Sequence, residues 1–487
     1  MTATREHPPA ASAPPAPAAA IAAARPGRVI GLDGIRGLAA LFVVLNHIFE
    51  RAWPGYPAHP APFWAAWMVY GRFAVVVFIA VSGFSLGLGP ARSGWRFKSI
   101  ATYAHRRAWR ILPPYWAALG FSLVMTWYVF AQPGWPVPNG KSVVVYGLLV
   151  QDPFAQGHHG GFWAAGSPNR AFWSIAIEAQ LYFLLPLLLL LVRRVSARAM
   201  VGLVAAIVVT IGLLGPHVPL LNSALVKFTP DLAVLFAVGL LAAGIVTAGE
   251  RTRSRPWAGY ALAATVPVIA LMAVKGATWS NLNLFWLDLA WAPAVGCLLA
   301  AIATSRPRPV VRFLDSRLPR TLGSCSYSLY LTHMPIVIAV SYGLVLSRVA
   351  AGTMRFFVLA AILLPVTVCF ARLFATVFEL PFQRHRGWAP LRQAMLARLR
   401  LLRRAGPAAV ACHWRGANRA SGPRNQAGGQ CRPAHPQPVA DRARPASRPG
   451  LPVSPNPGGS ATRSGSCRGC CAGSKPHRPG SSHPGRR

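Results

Sequence analysis

Two ionisable side chains, Arg36 and His47, share the first apolar run of this chain, "LDGIRGLAALFVVLNHIF". On a helix eleven residues advance about 1,100°, some 20° past three turns, which puts both on one face roughly 16 Å apart along the axis. Asp33, one turn before Arg36, is placed to pair with it. A charge inside a bilayer costs roughly 2.5–3.5 kcal/mol on insertion scales, so such groups turn toward a bundle interior or a wet cavity and mark candidate sites. Histidine is the usual base for activating a hydroxyl near neutral pH. A dry cavity strengthens any charge that stabilises an oxyanion. The plainer alternative is a snorkelling arginine and an interfacial histidine, each satisfied by backbone or headgroups.

Three further clusters carry chemistry. In "HRRAWRILPPYW", Arg106, Arg107 and Arg110 stand at the start of an apolar run. Arg107 and Arg110 are three apart and present two planar forks to one side, an arrangement that suits phosphate; the alternative is ordinary anchoring by basic residues. In "FWSIAIEAQLYFLLPLL", Glu178 lies a few residues inside its run, at the depth inferred for His47. There a carboxylate can orient a histidine or compensate a cation, or simply pair with an interior Arg or Tyr. In "SYSLYLTHMP", Ser326, Tyr327, Tyr330 and His333 read as polar groups that join helices, with His333 read as packing. Gly83 in "VFIAVSGF" marks a close helix approach, and Glu379 in "FELPFQR" a helix end.

The elements that must position these residues follow from composition. Of 487 residues 53% are hydrophobic and only 13% charged, too little charge to cover the surface of a soluble chain. Runs of roughly 17–25 apolar residues are long enough to span a bilayer. They fall near 32–50, 69–90, 110–131, 171–192, 199–215, 229–247, 257–275, 283–304, 324–346 and 354–378. The run at 143–150 is too short to span and suits a re-entrant segment. The fold class expected is therefore an all-α polytopic membrane protein, a bundle of about ten transmembrane helices. Arginines fill every second connection, as at Arg193, Arg194 and Arg198 or at Arg251, Arg253 and Arg255, whereas 132–170 holds only Lys141 and Arg170. The positive-inside rule then predicts both termini in the cytoplasm.

The net charge of +39 is not a nucleic-acid signature, because +19 of it lies between Arg384 and Arg487, where Asp441 is the one acid. No nucleic-acid-binding module accompanies it; topology and anionic lipid account for the charge. Residues 1–28 are Pro/Ala-rich and read as disordered, without the compact apolar segment of a removable signal peptide. Residues 29–386 form the membrane domain, and 387–487 read as a basic, low-complexity, disordered tail. Its "CRGCC", with Cys467, Cys470, Cys471 and the nearby His477 and His483, is too weak a pattern to predict a metal site. Cys297, Cys325 and Cys369 read as small apolar residues.

Taken in order, "LDGIRGLAALFVVLNH", "FIAVSGF", "RRAWRILPPYW", "WSIAIEAQLYFLLP", "SYSLYLTHMP" and "ELPF" resemble the acyltransferase type 3 family of integral membrane acyltransferases, across about residues 29–386. The resemblance departs from the commoner form at Ile79, where a second Phe is usual, and at Thr332, where an aromatic is frequent. It implies transfer of an acyl group, commonly acetyl from acetyl-CoA, to a hydroxyl of a glycan or glycosylated small molecule, in a bacterial-type cytoplasmic membrane. By the same resemblance His47 is the base or acyl relay and Arg36 its partner along the acyl path. Arg107 and Arg110, with Arg106, engage acyl-CoA as donor, and Glu178 supports the site. No metal is implied.

The competing class is a transporter or flippase for an anionic or sugar-containing substrate, since ionisable groups also line transport paths. No repeat relates the two halves as in many transporters, and paired arginines at a helix start suit a nucleotide-like donor better. A non-catalytic scaffold has no need of His47 and Glu178 within the bilayer. Acceptor specificity is expected in 132–170, with Trp135, His158 and His159.

Overall fold

A computed structural model describes residues 29–97, 99–129, 137–154, 167–385 and 387–404. Residues 1–28, the cysteine cluster at 467–471 with His477 and His483, and Trp135, His158 and His159 lie outside the described residues, as does most of the expected tail. The described residues all lie within residues 1–410, a single unit.

Among the described residues the chain is helical and forms no strand. Its main elements are α1 (Leu32–Ala52), α2 (Arg72–Arg92), α3 (Ile100–Val124), α4 (Gly140–Gly147), α5 (Trp173–Arg194), α6 (Ala197–Leu214), α7 (Pro219–Phe228), α8 (Asp231–Gly244), α9 (Trp257–Leu282), α10 (Leu284–Ala303), α11 (Arg317–Ser324), α12 (Ser326–Val340), α13 (Thr353–Phe374) and α14 (Trp388–Arg404). Within these residues eight helices are long and apolar enough to cross a membrane, and α7 with the segment Asp231–Thr247, bent by 57°, makes a ninth if the pair is one span. The third expected span is α3. It reaches back to Ile100 and so takes Arg106, Arg107 and Arg110 into its first half, and it is not one of those eight. The short run 143–150 becomes α4, eight residues long.

Helix starts follow side-chain chemistry. Ser99, Asn139 and Ser196 each accept a backbone N–H of the first turn that no helical carbonyl can reach, at 3.2, 3.0 and 3.1 Å for α3, α4 and α6. Two glycine contacts set how closely the inner helices pack. Gly83 of α2 lies against the backbone carbonyl of Phe236, and Gly239 of α8 against that of Ala80, so a side chain at either would strike backbone. The close approach expected at Gly83 is thus made, and it is reciprocal. Gly34 and Gly37 of α1 meet Leu314 and the α11 backbone in the same way.

One buried ionic cluster ties three helices together. Arg72 at the start of α2 meets Asp288 of α10 at 2.7 Å and Asp231 of α8 at 3.3 Å, with its guanidinium 5.1 Å from the ring of Trp173. Both aspartates are buried. Transfer of such charges into an apolar interior is costly unless they are paired and hydrogen-bonded.

At the start of the expected tail, Trp388–Arg404 forms α14. The run "WAPLRQAMLARLRLLRR" interleaves Leu and Met with Arg at helical spacing, and Leu391 is buried while Trp388 packs edge-on against Trp109 at 4.9 Å. Average composition hid a local amphipathic period.

Candidate active site

α1 places its two ionisable residues as the spacing requires, but in different surroundings. Arg36 donates to the Ser85 hydroxyl of α2 at 2.7 Å and lies 3.6 Å from Asp33. The expected i,i+3 pair is present. Arg36 lines a cavity of about 480 Å³ together with Arg107 and Arg110 of α3, Glu178 and Tyr182 of α5, and Tyr330 of α12. That volume is within the range of small-molecule sites. Arg107 and Arg110 thus share one side of α3 and one cavity. Arg106 is exposed and does not line it.

Glu178 is not beside His47. Its Oε1 accepts the Ser82 hydroxyl at 2.6 Å and the Tyr182 hydroxyl, and it faces the cavity that holds the three arginines. Of its two sequence roles, orienting a histidine and compensating a cation, the position matches the second. α5 begins inside the bundle. Asn169, just before it, donates to the Leu331 carbonyl at 3.0 Å, and Ser174 shares a hydrogen bond with Tyr330 at 2.7 Å, both in the middle of α12.

The carboxylate at His47 is Glu50, three residues on, whose Oε2 lies 3.0 Å from Nδ1. A carboxylate accepts only, so this contact puts the proton of a neutral His47 on Nδ1 and leaves Nε2 with its lone pair. Spacing i,i+3 in "HIFE" offered that pair in advance, but Glu50 at the close of an apolar run reads as a flanking charge. His333 stacks on His47, with centroids 5.3 Å apart and planes 22° from parallel. Tyr330, which lines the cavity, has its ring 5.7 Å from that of His333. The order along the bundle is therefore arginine cavity, Tyr330, His333, His47, Glu50.

Glu379, expected only as a helix end, is buried and lines the cavity; it accepts from the Ser328 hydroxyl at 2.5 Å and from Gln383 at 2.8 Å. Three guanidinium-bearing residues thus face the carboxylates of Asp33, Glu178 and Glu379. Among the described residues no three His, Cys, Asp or Glu side chains gather as metal ligands.

This arrangement can hold an anion at the arginines and offers a basic ring nitrogen beyond Tyr330. The chain matches the family model described as an acyltransferase domain over residues 29–375. It is 31% identical over 169 residues to a Komagataeibacter xylinus protein described as the membrane-bound transacylase BcsY, covering 33% of this chain and 38% of that one. It is 25% identical over 230 residues to Nodulation protein 10 of Rhizobium leguminosarum bv. viciae, covering 43% and 58%. In both cases the match spans less than two thirds of the relative's own length. No solved structure matches.

Proposed function

This chain belongs to the acyltransferase type 3 family of multi-pass membrane enzymes, and from that premise we propose that it moves an acyl group, in the simplest case acetyl, from acyl-CoA to a hydroxyl of a carbohydrate-containing acceptor. The observation that carries the reading is the one cavity shared by Arg36, Arg107, Arg110 and Glu178, whose Tyr330 wall adjoins the His333–His47 stack.

Arg107 and Arg110 bind the phosphate-bearing part of the donor, since guanidinium forks meet phosphate oxygens in pairs. The pantetheine arm passes Arg36 and Ser85 toward Tyr330. At the far end His47 Nε2 takes the proton of the acceptor hydroxyl as that oxygen attacks the thioester carbonyl. Glu50 holds Nδ1–H and stabilises the imidazolium that forms. The carbonyl electron pair moves to oxygen, and its return expels the CoA thiolate, which takes the proton from Nε2. Thioester and alcohol become ester and thiol, and the histidine is restored.

Basic connections argue for a cytoplasmic N-terminus, which gives Arg36 to the donor side and His47 to the far side. In this reading CoA stays cytoplasmic, the acyl group crosses along α1, and the enzyme works in a bacterial-type cytoplasmic membrane. The relative described as a transacylase favours transfer over transport. Purified protein in sealed vesicles, loaded with labelled acetyl-CoA in the lumen, tests this. Labelled ester on an external glycan together with free CoA inside is the expected result. Ester on luminal acceptors alone refutes the transbilayer path, and no release of CoA under any condition refutes the acyltransferase reading.

A further inference from the structure

His333 is fully buried in α12, and its Nδ1 lies 2.8 Å from the Tyr330 carbonyl and 3.1 Å from the Leu329 carbonyl. Carbonyl oxygens only accept, so Nδ1 of the neutral ring carries the proton and Nε2 keeps a lone pair. Nε2 is itself buried and meets no hydrogen-bond partner among the described residues. Buried acceptors left unpaired are rare in folded proteins, and each has a reason to be there.

The neighbour points to that reason. His333 stacks on His47, whose Nδ1 is held by Glu50, so two nearly parallel imidazoles with centroids 5.3 Å apart each keep an Nε2 acceptor. An alcohol with a single hydroxyl has one proton to give and satisfies one of them. Adjacent hydroxyls on a sugar ring offer two donors side by side.

We propose that His333 is an acceptor-binding residue: its Nε2 receives a hydrogen bond from the hydroxyl next to the one that is acylated, so the acceptor class is a vicinal diol. The proposal rests on the acyl-transfer reading above. At the reacting hydroxyl the proton passes to His47 Nε2 as oxygen bonds the acyl carbon and thiolate departs. The neighbouring hydroxyl keeps its proton and shares it with His333 Nε2.

Methyl glucoside and its monodeoxy derivatives, offered outside acetyl-CoA-loaded vesicles of the full chain, make the test. The wild type is expected to esterify the parent about fivefold to tenfold better, in kcat/KM, than the derivative lacking the neighbouring hydroxyl, the scale of one neutral hydrogen bond. His333→Phe keeps an aromatic ring but removes Nε2. It should bring the parent down to the level of that derivative, chiefly through KM, so that their ratio falls to about one. His333→Gln carries a polar atom near the Nε2 position and should restore part of the preference. The proposal is overturned if every monodeoxy derivative serves as well as the parent. It is also overturned if His333→Phe lowers parent and derivatives by the same factor, as loss of packing would. A wild type that releases no CoA with any acceptor refutes the underlying reading instead.

Discussion

Glu50 accepts from His47 Nδ1 at 3.0 Å, one helical turn beyond it on the same helix. The pair fixes which nitrogen of His47 is free to act, and a neutral amide cannot match the charge it supplies. Glu50→Gln is expected to lower kcat by roughly tenfold to a hundredfold, the usual effect of removing a partner that orients a functional histidine, with donor KM little changed. Steady-state rates of CoA release measure it; equal rates in variant and wild type would remove Glu50 from the mechanism.

His47→Ala takes away the base itself. Transfer should fall by roughly 10²–10⁴-fold while the protein still inserts and purifies as a folded species, read by size-exclusion profile and thermal unfolding in detergent. Near-normal turnover would exclude His47 as base.

Arg107 and Arg110 line the cavity and Arg106 does not. Arg107→Ala and Arg110→Ala should each raise donor KM about tenfold or more, the scale of a charge-assisted hydrogen bond. Arg106→Ala should change it little. Lysine at 107 or 110 should rescue poorly, because a point charge lacks the planar fork. Donor titrations at two salt concentrations separate these outcomes.

Arg72 stands between two buried aspartates. Arg72→Leu leaves both carboxylates without their cation and should cost about 3–5 kcal/mol of stability, seen as a lower midpoint of thermal unfolding. Loss of the guanidinium with no change in that midpoint would mean that the cluster contributes nothing to the fold.

Asp152 lies outside the spanning helices, and burial pushes its carboxyl up to about 7 from an ordinary 3.8, despite a hydrogen bond from Gln180 at 2.5 Å. The folded state therefore holds a proton there that the unfolded chain releases. That contribution is complete below about pH 4 and is lost as pH rises toward 7, with a total on the order of a few kcal/mol. Asp152→Asn should flatten stability between these limits, measured by thermal unfolding across the pH series.

Much of this architecture was legible in advance because membrane spans announce themselves by local composition. The Arg36–Asp33 pair, the common side of Arg107 and Arg110, and the close approach at Gly83 all depend on helical spacing within one segment. What escaped depends on how segments stack. Glu178 met the arginines because α5 starts inside the bundle, a depth that no count from the end of an apolar run reveals. Arg72, Asp231 and Asp288 sit near the ends of their runs and look like flanking charges until three helices converge. His333 read as packing, and only its stack on His47 and its unpartnered Nε2 give it another role.

The Arg72 cluster also has a consequence for biogenesis. Arg72 precedes Asp288 by 216 residues, and a ribosome adding about 5–20 residues per second needs roughly 10–40 s to make that interval. Neither aspartate exists for the first 159 of those residues, and from there until Asp288 is made the guanidinium has Asp231 alone of the two. The arginine must wait among lipid phosphates or at the insertion machinery, and α2 can take its final depth only after α10 emerges. Chains halted before Asp288 should then be held as assembly intermediates open to quality-control proteolysis, and those carried past it should become resistant.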